Sequence, residues 1–241
     1  EAPGYAREFQ TYDSPDTSYQ FRNIREHYRG GISHNIRMGS EFFLNKYNTL
    51  TVTGMYSRSD GRNGVDRVYE DLYGDGTLFQ RVTRNQFELE PENVVEASMN
   101  YRKTFDKEDR LWTIDLQYFI NDEDELADIV QTNERTGEEI IQYTSNTEDE
   151  NNFLFQTDYV HPFGGNYKYE IGARTTHRLI NNRFKVEEQD GNGEWSTLGN
   201  FDNHFVYEEL IQAGYGILSA DWDEFAVQLG ARAEYTDVMS E

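Results

Sequence analysis

Strict alternation of apolar and polar residues is the feature that most constrains this chain. In 224–236, EFAVQLGARAEYT, one side of an extended strand takes Phe225, Val227, Leu229, Ala231, Ala233 and Tyr235. The other side takes Glu224, Ala226, Gln228, Gly230, Arg232 and Glu234. Successive side chains of a strand point to opposite faces, so a period of two describes a strand with one apolar and one polar side. Residues 167–177 repeat the pattern, with Tyr167, Tyr169, Ile171 and Ala173 against Lys168, Glu170, Gly172 and Arg174. In 111–120 the apolar side is Trp112, Ile114, Leu116, Tyr118 and Ile120. No sustained i, i+3, i+4, i+7 stripe with caps competes with it, so an all-β fold is expected.

The strands come in pairs joined by short turns. Residues 32–43 turn at 44–47 into 48–58, and 94–104 turn at 105–110 into 111–120. Residues 152–161 turn at 163–166 into 167–178, and 205–218 turn at 219–223 into 224–236. The turns recur roughly every 60 residues, the mark of a repeated hairpin unit. The expected architecture is an antiparallel up-and-down meander of about eight long strands, with hairpins near 32–58, 94–120, 152–178 and 205–236. Residues 1–31 are expected to be a lead-in loop. The connections 59–93, 121–151 and 180–204 are acidic and read as long loops, with small hairpin signals at 133–137 and 189–193.

Composition narrows the class. Over 241 residues, 45 Asp and Glu against 22 Lys and Arg give a net charge of −23, which excludes a basic nucleic-acid footprint. An aromatic content of 15% argues against disorder despite that charge. The absence of cysteine removes disulfides and thiolate metal sites. No apolar run reaches the length of a transmembrane helix of about 18 residues. A transmembrane β-barrel passes every filter, because alternating strands have the mean hydropathy of a soluble chain. Short turns at one end and long connections at the other are the asymmetry of outer-membrane barrels. Aromatics gather near the short turns: Phe42, Phe43, Tyr47, Phe105, Trp112, Phe163, Tyr167, Trp222 and Phe225. A thinner second girdle is expected from Tyr56, Tyr118, Tyr207 and Tyr235. The competing fold is a soluble β-sandwich with one wet face, which shows the same alternation.

Several segments resemble a known family. Residues 30–56, GGISHNIRMGSEFFLNKYNTLTVTGMY, resemble a barrel hairpin of TonB-dependent receptors of the Bacteroidetes type, and more narrowly their outer-membrane β-barrel family. Tyr101-Arg102-Lys103-Thr104-Phe105 with 112–118 resembles the next hairpin, and 158–163 with 168–174 a third. Residues 229–236, LGARAEYT, resemble the recurrent GxRxEYT strand. The likeness covers roughly residues 20–238. It implies a wall segment of a wide barrel of about 22 strands, in a bacterial outer membrane, with outer-membrane lipid around it. It also implies a plug domain of the same parent chain inside, a TonB system as energising partner, and an imported ligand that the sequence does not identify. Short turns lie on the periplasmic side of such barrels, so residues 32–43 run inward and 224–236 run outward. The chain is therefore expected to be a middle piece of the barrel, with residues 1–31 extracellular. Taken alone in water, such a piece is expected to oligomerise or fold on itself.

The remaining motifs are weak. Asp71–Gly76, DLYGDG, is faintly like a calcium loop but has Tyr73 and Val82 at ligand positions, so a surface turn is expected. The run Asp122-Glu123-Asp124-Glu125 suits either a cation bridge to lipopolysaccharide or, better, a solvated loop face. His27, His34, His161, His177 and His204 have no metal-binding spacing, and no nucleophile elbow or P-loop is present. No cofactor and no enzymatic activity are expected. The candidate functional residues are those expected to point into the lumen: Lys168, Glu170, Arg174, Arg178, Gln228, Arg232 and Glu234. The resemblance implies that such residues pair with a plug or line a substrate path; plain hydration of the wall is the simpler reading. The leading function is nutrient uptake through a plugged pore, with an outer-membrane adhesin and a soluble β-sandwich binding module as alternatives.

Overall fold

A computed structural model describes residues 2–13 and 18–241. The chain forms one antiparallel sheet from β1 (Ala2–Asp13), β2 (Ser18–Asn45), β3 (Asn48–Tyr73), β4 (Leu78–Thr104) and β5 (Leu111–Asn133). It continues through β6 (Glu139–Phe163), β7 (Tyr167–Gln189), the short β8 (Trp195–Thr197), β9 (Asn203–Trp222) and β10 (Phe225–Ser240). Neighbours in sequence are neighbours in space, except that β8 only caps the far end of β7 and β9 takes the next place in the sheet. Among the described residues the one helical element is a single 3-10 turn, Gly199–Phe201.

The eight long strands of the expected meander are β2–β7, β9 and β10. Their length departs from expectation. Strands β2–β7 run for 23 to 28 residues, whereas about 9–11 cross a bilayer. Most of 59–93, 121–151 and 180–204, expected as loops, is paired strand, and so are 2–13 and 18–31, expected as a lead-in loop. The turns at the far end are short: Tyr73 N donates to Thr77 O, and Asp190 Oδ1 accepts the N–H groups of Asn192 and Glu194 at 2.9 Å each. Those two bonds hold the Asp190 carboxyl below the usual aspartate range. Gly137 and Gly193 occupy the left-handed positions (φ +71° and +86°) that close the two hairpins signalled in the sequence.

The phase of the alternation explains the difference. Along β5 the apolar residues Trp112, Ile114, Leu116, Tyr118 and Ile120 share one face. Past them that face carries Asp122, Asp124 and Asp128, and the buried apolar residues move to the other side: Ala127 (3% exposed) and Ile129 (4%). Val186 of β7 (7%) joins them on that side, in the same register row as Ala127 through Thr144. One face is apolar near the short turns, and a small core lies on the opposite face further out. A sequence scan for a constant apolar side loses the strand where the phase switches.

Residues directly opposite in an antiparallel ladder point the same way, so the register fixes both faces across the sheet. Leu229, Leu218, Tyr169 and His161 form one row, and Ile114, Thr157 and Ala173 belong to the same face. Ile32, Ile36, Met38 and Phe42 of β2 share it too, through Leu50, Val52 and Tyr56 of β3. Two expected girdle members do not: Phe43 pairs with Thr49, and Tyr207 with Ile180, on the polar face.

The register also sets the tilt. A row starting at Asn48, beside the first short turn, passes through Lys103, Trp112, Tyr159 and Ile171 to the pair Gly216–Ala231. The last hairpin closes only at Trp222–Phe225, six residues beyond that pair. Six residues at about 3.3 Å, against six inter-strand steps of about 4.8 Å, is a tilt of about 35°. Transmembrane barrels tilt by that amount. Leu116→Arg, on the apolar face of a central strand, should destabilise the protein in a bilayer by about 2–4 kcal/mol. Gln117→Arg, on the polar face, should be nearly silent; equal losses in unfolding titrations of the two would contradict the assigned faces.

Candidate functional site

The polar face near the short turns is built by the second residue of each apolar–polar couplet. All seven sequence candidates lie on it. Gln228, Ser219 and Lys168 form one row, Glu234, Ala213 and Arg174 another, and Arg178 stands opposite Glu209. Glu170 stands opposite Ile217, and Arg232 opposite Tyr215. The seven share a face without forming one cluster. Arg178 Nε donates to Glu150 at 2.8 Å, and Arg232 pairs with Glu234 at 2.7 Å. Lys168 and Arg174 have no carboxylate within ion-pair distance among the described residues.

Glu170 belongs to a node that the sequence did not reveal. Tyr215 Oη donates to Asp158 and lies 3.1 Å from Glu170 Oε1, tying β6, β7 and β9 together. Its ring crosses β7 at Gly172, directly opposite in the register. A Cβ at Gly172 would fall 2.3 Å from both Asp158 Oδ1 and the Tyr215 ring. Glycine is there to let the ring pass. Both Gly172 and Tyr215 are visible in the sequence, but only the register makes them partners.

Further out, the same face becomes a wall of glutamates. Glu92, Glu123 and Glu148 stand directly opposite one another on β4, β5 and β6. Glu88 and Glu90 are held by the buried amide of Asn63, which also accepts Arg29 Nε at 2.8 Å. Burial raises the Glu123 carboxyl above its ordinary value, and Glu92, Glu125, Glu148 and Glu90 add to the shift. The acidic run 122–125 is split by the pleat: Glu123 and Glu125 join this wall, while Asp122 and Asp124 face the other way. Nearer the short turns, Phe119 and Leu154 floor a cleft of about 450 Å³ edged by Glu96, Arg178 and Glu209. Among the described residues no three His, Asp or Glu side chains are placed to hold a metal ion. Asp71–Gly76 forms part of a hairpin turn, with Thr77 N bonded to Asp75 Oδ1 at 2.9 Å.

On the apolar face the band has defined borders. At its far edge Tyr56 Oη donates to Asn93 and Tyr118 Oη to Asn151, each at 3.2 Å. Beyond stand charged residues such as the Arg58–Asp60 pair (3.0 Å). At the short turns Tyr101 packs edge-on against Trp112, and Trp222 stacks on Phe225. An apolar band between two polar-tipped aromatic borders, on a tilted antiparallel meander with a charged opposite face, defines the wall of a transmembrane β-barrel.

The comparison with known families gives the same class. A model of the outer membrane protein beta-barrel family matches residues 103–241, more than half of the chain. The chain belongs to that family and is a protein of the bacterial outer membrane. No curated protein matches it.

Two predictions follow from the wall and its orientation. Cysteines introduced at Glu134 or Thr147 should react with an impermeant reagent on intact cells, and cysteines at Lys107 or Gly165 should not. Glu123→Gln should stabilise the outer part of the sheet at neutral pH. A carboxyl whose folded pKa lies above its unfolded value opposes folding once pH exceeds the unfolded value, near 4.5. The gain should therefore be full above the folded pKa and vanish as pH drops below 4.5, where both states are protonated. Denaturant midpoints of the two proteins across pH 3–8 are the check.

Proposed function

We propose that this chain is part of the barrel wall of a TonB-dependent receptor that takes up a nutrient through a plugged pore, without chemistry of its own. The observation that carries this reading is the height of β2–β7. These strands continue well past the membrane band as paired ribbons, and on β4–β6 their inner face is the glutamate wall. A tall, hydrogen-bonded vestibule above the pore suits capture of a large cargo before import. Its carboxylates repel anionic cargo and favour neutral or cationic ones. Lys168 and Arg174, without ion pairs among the described residues and on the face that would meet a plug, are suited to carboxylates of such a domain. The resemblance of 30–56, 101–118 and 229–236 to receptor hairpins supports the same reading.

An outer-membrane adhesin is the second reading, favoured by the same ribbons, which present both faces to water and offer a surface for binding without import. The two differ in energy coupling. Deleting the protein should abolish growth on one nutrient source, and a protonophore should stop accumulation of that labelled nutrient while leaving surface binding intact. Binding with no accumulation and no nutrient phenotype would decide for the adhesin.

A further inference from the structure

At the short-turn end of β4–β7 the apolar face carries a basic and aromatic cluster that neither function uses. Lys103 Nζ lies 5.2 Å from the ring centre of Phe105, and the Arg110 guanidinium lies 4.2 Å from the same ring. Arg110 Nε donates to Tyr159 Oη at 2.8 Å. Tyr159 Oη in turn meets His161 Nδ1 at 3.1 Å, and His161 stacks on Tyr169 at 5.2 Å. The register puts Lys103, Trp112 and Tyr159 in one row and His161 opposite Tyr169, all on the lipid side.

What these groups leave unused is informative. Arg110 spends Nε on Tyr159, and its two terminal nitrogens have no hydrogen-bond partner among the described residues. The acidic residues of the adjoining turn do not neutralise it. Asp106 is engaged by Tyr47 and by Lys46 at 3.9 Å. Neither Glu108 nor Asp109 forms an ion pair with Lys103 or Arg110 among the described residues. In a chain with twice as many acids as bases, two cations on the lipid side, aimed by aromatic rings and without an ion pair among the described residues, are free to take an anion from outside the protein.

We propose that Lys103 and Arg110 bind the phosphate of a phospholipid in the periplasmic leaflet, with Phe105 and Tyr159 packed against its glycerol region. The level fits. Short turns are periplasmic in this class, and the apolar band starts at Ile114, two residues beyond Trp112. A lipid phosphate sits at that border, just beyond the acyl chains. The guanidinium offers its forked donors to two phosphate oxygens, and the ammonium supplies a second charge. Two cations against one phosphate favour headgroups with net negative charge. The site rests on the membrane orientation and not on the receptor reading, so loss of nutrient coupling leaves it standing.

The intact protein, purified in mild detergent, is offered phosphatidylglycerol, phosphatidylcholine or lipid A in mixed micelles, and bound lipid is counted by native mass spectrometry. Phosphatidylglycerol should be retained in preference to phosphatidylcholine. Lys103→Gln with Arg110→Gln should weaken retention by about tenfold, the scale of a lost charge-assisted hydrogen bond. Arg102→Gln, at the same height on the opposite face, should retain lipid as the parent does. Should the double variant fail to fold, Arg110→Lys, which keeps the charge and loses the fork, should still bind more weakly. Equal retention of the two lipids, or retention unchanged in the Arg110 variants, overturns the proposal. Preference for lipid A over phosphatidylglycerol also overturns it, because the site would then lie in the other leaflet.

Discussion

Everything in this protein depends on the backbone hydrogen-bond ladder between neighbouring strands. From β2 to β10 the register keeps one parity apart from one-residue shifts beside two turns, at Phe43/Asn45 and Asp71/Leu72, so a residue's face is settled by its position in the row. A slip by one residue would send Ile114, Leu116 and Tyr118 to the glutamate side and Asp115 and Gln117 into lipid. The ladder tolerates local faults. Pro91 lacks an N–H, and the β4–β5 pairing is interrupted between Leu89 and Glu92, yet the same parity resumes on both sides. Inside a membrane this constraint is stricter than in water, because an unpaired backbone group there has no solvent to turn to.

The fold was legible in the sequence where one face meets lipid and the other meets water. There the contrast between couplets is greatest, as in Phe225, Val227 and Leu229 against Gln228, Arg232 and Glu234. It was illegible where both faces are wet. Beyond Ile120 the outward face of β5 needs no buried apolar residues, and Ala127, Ile129 and Val186 are buried on the other side, while Leu72 of β3 is buried on the outward one. Charge density then looks like a loop, although Thr132 to Asn121 of β5 pair without a break with β6. Side-chain partnerships were illegible for a different reason. The common face of the seven candidates followed from strand parity alone. Tyr215 with Asp158, Glu170 and Gly172, or Glu92 with Glu123 and Glu148, requires knowing which residues stand opposite. Phe43 and Tyr207 were misassigned because composition near a turn does not tell the face.

The charge of the chain is also sorted by height. The glutamates of the wall, among them Glu88, Glu90, Glu92, Glu123 and Glu148, lie beyond the membrane band, where water screens their repulsion, and Asn63, Arg29 and Arg178 take part of the charge on that face. Lys46, Lys103, Lys107, Arg110 and Lys168 gather at the opposite, short-turn end. They stand there among Asp106, Glu108, Asp109, Asp221, Asp223 and Glu224, so the net charge of −23 hides a gradient along the strands, acidic on the outer polar face and close to balance at the short turns. Net charge alone speaks to solubility and to what the vestibule repels. The gradient speaks to how the wall sits in a bilayer whose inner leaflet ends in phosphates.

The sheet has two open edges within the membrane band. β1 pairs with β2 only as far as Arg29, so the lower part of β2, with Ile32, Ile36 and Met38, has β3 on one side and no strand on the other among the described residues. Among the described residues β10 is likewise paired with β9 alone. Their free N–H and C=O groups, together with an exposed apolar face, cannot be accommodated in hydrocarbon. Hydrocarbon therefore admits this sheet only within a closed barrel whose edges are paired, and the faces described for this sheet become its lipid and lumen surfaces only on closure. Closure also explains why residues such as Met38 and Leu229 are exposed here with so little protein cover. Their partner is lipid, which covers the outside of a barrel but would not be held by an isolated, edge-exposed sheet.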